Sequence, residues 1–170
     1  MKTLSLILFS LALSASNCFA AEVTFDQWNQ ISEGGFSNVI LYPPSSNSPI
    51  GKGKALAVVL HGCAQAPEDF KEANLDKMAQ KYGMVLALPQ VENEADFGCW
   101  DYRRTHHKRQ SGDYKLILDL VNQLKSDETL QIDPDQIYII GLSSGGGFSM
   151  GMGCIAPDVF AGIASAAAPS

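Results

Sequence analysis

Gly141-Leu142-Ser143-Ser144-Gly145 is the stretch whose residue types could do chemistry, because it sets a serine two residues from a glycine on each side. In the pattern Gly-x-Ser-x-Gly a strand turns sharply into a helix. The small flanking residues let the chain hold the serine in a strained conformation with its hydroxyl presented. Centring the pattern on Ser144 would put Leu142 where glycine is needed, so Ser143 is the candidate nucleophile, and the chemistry it suggests is acyl transfer. Such a hydroxyl needs a base to take its proton. His61, His106 and His107 all precede Ser143, and no histidine follows it. A phosphate-binding loop would end in Gly-Lys-Ser/Thr, whereas no lysine lies beyond Lys125.

The elements that must position this turn follow from hydrophobic patterning. Ala55–Leu60, Met84–Leu88 and Ile137–Ile140 are short continuous aliphatic runs, which predicts strands buried on both faces. Asn38–Tyr42 reads as a further short strand, and Phe160–Ala168 as a fourth buried one. Between them, Pro67–Tyr82 carries Phe70, Leu75 and Met78 at near-helical spacing and stops at Gly83. Gly112-Asp113 opens a second helix with Leu116, Leu118, Leu120, Val121 and Leu124 on its apolar side. Strands alternating with helices predict an α/β fold, a mostly parallel sheet with helices on both faces. Sites in such sheets lie at the C-terminal ends of the strands. Three stretches fall there: His61-Gly62-Cys63, Cys99-Trp100-Asp101 and the serine turn. Gly145, Gly146, Gly147, Gly151 and Gly153 would each cost a helix about 1 kcal/mol relative to alanine. Close packing of that helix against the sheet is the expected compensation.

Composition narrows the class. Lys2, the apolar stretch Leu4–Ala15 and Cys18-Phe19-Ala20 have the three parts of a secretory leader, so residues 1–20 are expected to be removed. No later run is long enough to span a bilayer, so the mature chain is expected to be secreted and free of the membrane. A net charge of −6 argues against nucleic acid as the main partner. The basic cluster Arg103, Arg104, Lys108 and Arg109, around His106 and His107, suits either a solvated loop or a grip on an anionic substrate or product. Histidines and cysteines lack zinc spacing, so no metal and no cofactor is expected. Secretion permits disulfides, and Cys63, Cys99 and Cys154 are an odd number.

Leu60-His61-Gly62-Cys63 with Gln65, then Cys99-Trp100, then Ile132–Tyr138 leading into Gly141–Gly146, and finally Pro157-Asp158-Val159-Phe160-Ala161 together resemble one family. This is the extracellular poly(3-hydroxybutyrate) depolymerase family of esterases, close to the feruloyl and acetylxylan esterases within the α/β-hydrolases. The resemblance covers nearly all of the chain after the leader. It implies Ser143 as nucleophile and an oxyanion hole made of the backbone N–H groups of Cys63 and Ser144. It also implies that His61 is structural and that Asp158 belongs to a structural Pro-Asp-x-Phe corner.

In this fold the acid and the histidine of the triad follow the serine, so neither is expected in this chain. Residues 21–170 are then expected to be an N-terminal portion of one catalytic domain, incomplete after the serine turn and the next strand, and to be inactive alone. A Cys63–Cys99 disulfide is expected, because both residues follow strands that neighbour one another in the α/β-hydrolase order. The expected activity is a secreted serine esterase acting on poly- or oligo-3-hydroxyalkanoates. Feruloyl or acetylxylan esterase, a serine peptidase of the same fold, and a non-catalytic binding protein on this scaffold are the alternatives.

Overall fold

The computed structural model describes residues 27–93 and 95–169; the expected leader lies outside them. Six strands form one sheet: β1 (Asn29–Ile31), β2 (Val39–Tyr42), β3 (Lys54–Leu60), β4 (Met84–Pro89), β5 (Ile132–Leu142) and β6 (Gly162–Ala166). Their order is β1-β2-β4-β3-β5-β6. β1, β2 and β4 pair antiparallel in succession, and β4, β3, β5 and β6 are parallel. The aliphatic run of β3 occupies the centre, and Leu56, Ala57, Val58 and Leu60 have no exposed surface.

Side-chain alternation along the strands divides the core in two. Leu56, Val58 and Leu60 join Val85, Ala87, Ile137 and Ile139 on one face. There they meet Ile117, Leu120 and Val121 of α2 (Gly112–Ser126) and Phe148 and Met152 of α3 (Ser144–Ile155). Ala57 and Val59 join Ile40, Tyr42, Leu86 and Leu88 on the other face, against Ala79 of α1 (Leu75–Tyr82). Helices therefore cover both faces, as the buried strands require.

Several boundaries differ from the pattern-based expectation. The segment Pro67–Tyr82 is two pieces, a 3₁₀ turn over Pro67–Ala73 and then α1, because Asn74 takes a left-handed conformation between them (φ 55°). Gly83, also left-handed, ends α1 and donates its N–H to Ala79 O. β5 starts five residues before its aliphatic run. Its polar entrance is held by Asp133, whose carboxylate accepts from Lys52 N, Asp135 N and Gln136 Nε2. β6 is shorter than Phe160–Ala168, and Ile163–Ala166 are exposed rather than buried. Among the described residues it lies at the edge of the sheet, paired to β5 and with α3 packed along it.

The glycines of α3 mark close packing, against the sheet and its strand ends at Gly145, Gly146 and Gly153 and against other elements at Gly147 and Gly151. A Cβ on Gly153 would meet Ile163 of β6, but one on Gly147 would meet Tyr102, and one on Gly151 would meet His107 and Tyr114. The loop after β4 thus lies across α3. No helix among the described residues is long and apolar enough to cross a membrane.

Cys63 and Cys99 form a disulfide, with Cα atoms 4.1 Å apart and a sequence separation of 36. It ties the loop after β3 to the loop after β4. Closing a loop of this length removes entropy from the unfolded chain and so raises its free energy by about 4 kcal/mol. Replacing both cysteines by alanine is expected to lower unfolding stability by roughly that amount, and comparison of urea midpoints for the variant and the oxidised protein checks it.

Candidate active site

β5 ends at Leu142 and α3 begins at Ser144, leaving Ser143 at the junction with φ 53° and ψ −119°. A non-glycine residue held there costs about 1–3 kcal/mol and persists only where its surroundings over-determine it. They do. Ser143 N–H donates to Ala166 O at 2.9 Å, and Ser143 O accepts from Gly147 N–H at 3.0 Å. A Cβ on Gly141 would come within 2.1 Å of Gly145 O. One on Gly145 would lie 2.5 Å from His61 O and 2.7 Å from Leu60 O. Both flanking glycines are required before the first turn of α3 can seat against the end of β3.

That seating brings Ser143 beside His61-Gly62-Cys63, since a Cβ on Gly62 would lie 3.3 Å from the Ser143 Cβ. His61 is 1% exposed and accepts the Val91 N–H at Nε2, 3.2 Å away. Nδ1 therefore carries the hydrogen and donates to Gly62 O at 2.7 Å. A trans peptide points its carbonyl and its N–H in opposite directions. With Gly62 O drawn towards the imidazole, the Cys63 N–H faces away from it. The loop is fixed again by the disulfide and by Ala64 N–H, which donates to Phe97 O at 2.9 Å.

The other expected donor, Ser144 N–H, is the first of α3, where backbone N–H groups have no acceptor within the helix and the helix dipole is positive. The hydroxyl of Ser144 is buried and has no hydrogen-bond partner among the described residues. Two amide-bearing segments thus flank one strained serine. Such an arrangement can hold negative charge on a carbonyl oxygen while the serine oxygen attacks its carbon.

The remaining histidines serve the loop. His106 Nδ1 lies 2.5 Å from Asp101 Oδ2, and His107 Nε2 donates to Tyr102 O at 2.8 Å. The basic cluster is partly committed as well. Arg103 makes two hydrogen bonds of 2.7 Å to Asp101, and Arg109 bridges Asp158 and Ile155 O at the end of α3. Asp158 sits at the expected corner, where Phe160 enters the core and Ala161 N–H donates to Ile137 O to start β6. Cys154 is free and exposed on α3. Among the described residues no cluster of three or more His, Cys, Asp or Glu could hold a metal.

One feature escaped the sequence reading, and another was singled out there without a role. One is a row of aromatic rings under α3: His61, Trp100, Phe148, Tyr114 and His107, with successive centroids 4.0 to 5.4 Å apart. Period-based reading finds these residues only as core or loop, since their contact is purely tertiary. The other is Gln65, whose Oε1 accepts the Gly62 N–H at 2.8 Å. The sequence reading placed Gln65 in the motif with Leu60-His61-Gly62-Cys63 but gave it no role.

The sheet order, the helices on both faces and the serine turn define an α/β-hydrolase fold. The model of the esterase PHB depolymerase family matches residues 37–168, and the chain belongs to that family. The poly(3-hydroxybutyrate) depolymerase of Ralstonia pickettii is 39% identical over 150 residues, 83% of this chain and 30% of the relative. Feruloyl esterase B of Neurospora crassa is 32% identical over 111 residues, 62% of this chain and 36% of that protein. Among solved structures, the acetyl xylan esterase from Aspergillus awamori superposes with a TM-score of 0.66 at 18% identity, over 82% of this chain and 53% of that one. The chain therefore spans about a third of the length of these curated relatives and half of the structural one.

Asp101 gives the loop a pH signature. The hydrogen bond from Arg103, with a further one from His106, holds its carboxyl well below the ordinary 3.8 against the opposing effect of burial. Because the folded pKa is depressed, its stabilisation is complete above about pH 4 and is lost as pH falls towards the folded value. Asp101→Asn is expected to be less stable than wild type at neutral pH and to show a shallower loss of stability between about pH 4 and pH 2. Urea midpoints across that range check both.

Proposed function

We propose that this chain is part of the catalytic domain of a secreted serine esterase. It cleaves carboxylic ester bonds through an acyl-enzyme on Ser143, with poly- or oligo-3-hydroxyalkanoates as substrates. The observation that carries the reading is Ser143 in its strained turn, pressed against His61-Gly62-Cys63 by an approach that only glycine at position 145 allows. Membership of the esterase PHB depolymerase family supports the bond type, and the Ralstonia pickettii relative supports the substrate class.

In the proposed reaction Ser143 Oγ attacks the ester carbonyl carbon while a general base takes its proton. The carbonyl oxygen becomes an oxyanion facing the N–H groups of Cys63 and Ser144. Collapse of this intermediate breaks the ester C–O bond, and the departing alkoxide receives the proton from the base. Water, deprotonated by the same base, then attacks the acyl carbon and releases the acid and Ser143.

We place the base on a histidine outside residues 1–170, oriented by an acid that is also outside them. The ring nitrogens of His61 both hold backbone, and the bonds of His106 and His107 shape the loop across α3. The short span of this chain against its relatives leaves room for such residues. Secretion is supported by the leader-like residues 1–20 and by a disulfide, which persists in oxidising compartments.

A feruloyl or acetylxylan esterase is the second reading, favoured by the Neurospora crassa and Aspergillus awamori relatives. The full-length protein is expected to hydrolyse p-nitrophenyl butyrate and 3-hydroxybutyrate oligomers faster than methyl ferulate. Ser143→Ala is expected to lower kcat by about 10⁵-fold or more. Ser144→Ala, which keeps the backbone donor, is expected to cost less than about tenfold. Faster turnover of methyl ferulate selects the second reading. Peptide hydrolysis without ester preference selects a peptidase, and turnover unaffected by Ser143→Ala removes the serine mechanism.

A further inference from the structure

We propose that Gln65 is a positioning residue for the reaction: its side-chain oxygen locks the peptide that precedes the Cys63 donor and so sets the oxyanion hole. The proposal rests on the assignment of Ser143 and the Cys63 N–H above.

The loop after β3 has two peptide units whose orientation matters. His61 Nδ1 holds the carbonyl of the Gly62–Cys63 unit, which aims the Cys63 N–H. The preceding unit, His61–Gly62, has its N–H end at Gly62, and that N–H is held by Gln65 Oε1 at 2.8 Å. Gly62 is thus clamped on both sides, through its N–H by Gln65 and through its carbonyl by His61. Glycine has the widest backbone freedom of any residue, so without these bonds it is the hinge about which the Cys63 N–H could swing.

Gln65 reaches this hinge from a short distance. A Cβ on Gly62 would fall 2.7 Å from Gln65 Oε1 and 3.3 Å from the Ser143 Cβ. The carboxamide and the nucleophile therefore meet at Gly62, and the space between them has no room for a side chain. A backbone N–H can only donate, so the carboxamide must present its oxygen to Gly62 and turn its NH₂ away. The residue is two positions beyond Cys63 and precedes the 3₁₀ turn opened by Pro67, whose fixed φ limits the freedom of that segment. Gln65 is held near Gly62 by the local chain and needs no distant partner.

An oxyanion donor acts in the transition state and contributes little to ground-state binding, so its misalignment is read in kcat. The test uses the full-length protein with p-nitrophenyl butyrate as substrate and phenylboronic acid as a tetrahedral-intermediate mimic. Gln65→Leu, similar in size but without an acceptor, is expected to lower kcat by about 30- to 300-fold with KM changed less than about threefold. The boronate inhibition constant should rise in parallel. Gln65→Glu, which keeps an oxygen for the Gly62 N–H, is expected to recover kcat to within about fivefold of wild type.

If Gln65→Leu fails to fold, Gln65→Asn carries the same test, because it keeps the amide but is one methylene too short to reach. Wild-type kcat in a folded Gln65→Leu or Gln65→Asn protein overturns the proposal. So does a Gln65→Glu variant as impaired as Gln65→Leu, or a loss confined to KM. Failure of the underlying assignment is separate, since Ser143→Ala would then leave turnover intact whatever Gln65 does.

Discussion

The approach of the first turn of α3 to the end of β3 is the constraint on which the rest of the site depends. Gly145 lies against the carbonyl oxygens of Leu60 and His61 at distances no side chain could share. Since β3 and β5 are adjacent and parallel, a chain leaving β5 must reverse within one residue to pack back at that point. The reversal falls on Ser143 and forces its positive φ. Strain and placement are consequences of one packing decision. The same contact brings the His61-Gly62-Cys63 loop against Ser143, so serine and loop are positioned by backbone approach rather than by side-chain reach.

The loop after β4 completes the support from the opposite side. Trp100, next to the disulfide, packs on the His61 ring and on Phe148 of α3, and Phe148 stacks on Tyr114 of α2 at 4.0 Å. His107 closes the row against Tyr114 and lies over Gly151. Ring pairs of this kind contribute about 0.5–1.5 kcal/mol each beyond the area they bury. Burial in this row, with the nearby Asp101 charge adding to it, pushes the Tyr114 phenol above its ordinary pKa, and its hydroxyl donates to Asp101 O. Two of the three histidines thus join a structural aromatic row, and the glycines of α3 leave the space it needs.

Much of this architecture was legible in the sequence because it is written in local periods. The runs of β3 and β4 are continuous and aliphatic, and the Gly-x-Ser-x-Gly spacing names the turn by its steric requirement alone. The Cys63–Cys99 bridge followed from strand order once the fold was inferred. What escaped depends on side chains that overrule the period. Asp133 satisfies backbone donors and extends β5 through a polar segment that reads as a loop. Asn74 takes a left-handed conformation and breaks what looks like one helix into two. β1 is three residues long, too short to carry a pattern.

In the proposed reaction both oxyanion donors are backbone N–H groups, and this shifts where the site is sensitive. An amide cannot be deleted by changing its own side chain, so Cys63 and Ser144 act through orientation. Orientation is set elsewhere: by the His61 ring on Gly62 O, by Gln65 on Gly62 N–H, by the disulfide, and by the start of α3. Losing one such donor costs about 2.7–4 kcal/mol of transition-state stabilisation, comparable with the strain of about 1–3 kcal/mol stored at the serine. Hydrogen bonds to backbone groups therefore fix both the serine turn and the loop beside it. Ser143 is held by its flanking glycines and by backbone hydrogen bonds to Ala166 and Gly147, while Gly62 in the neighbouring loop is held at both its N–H and its carbonyl.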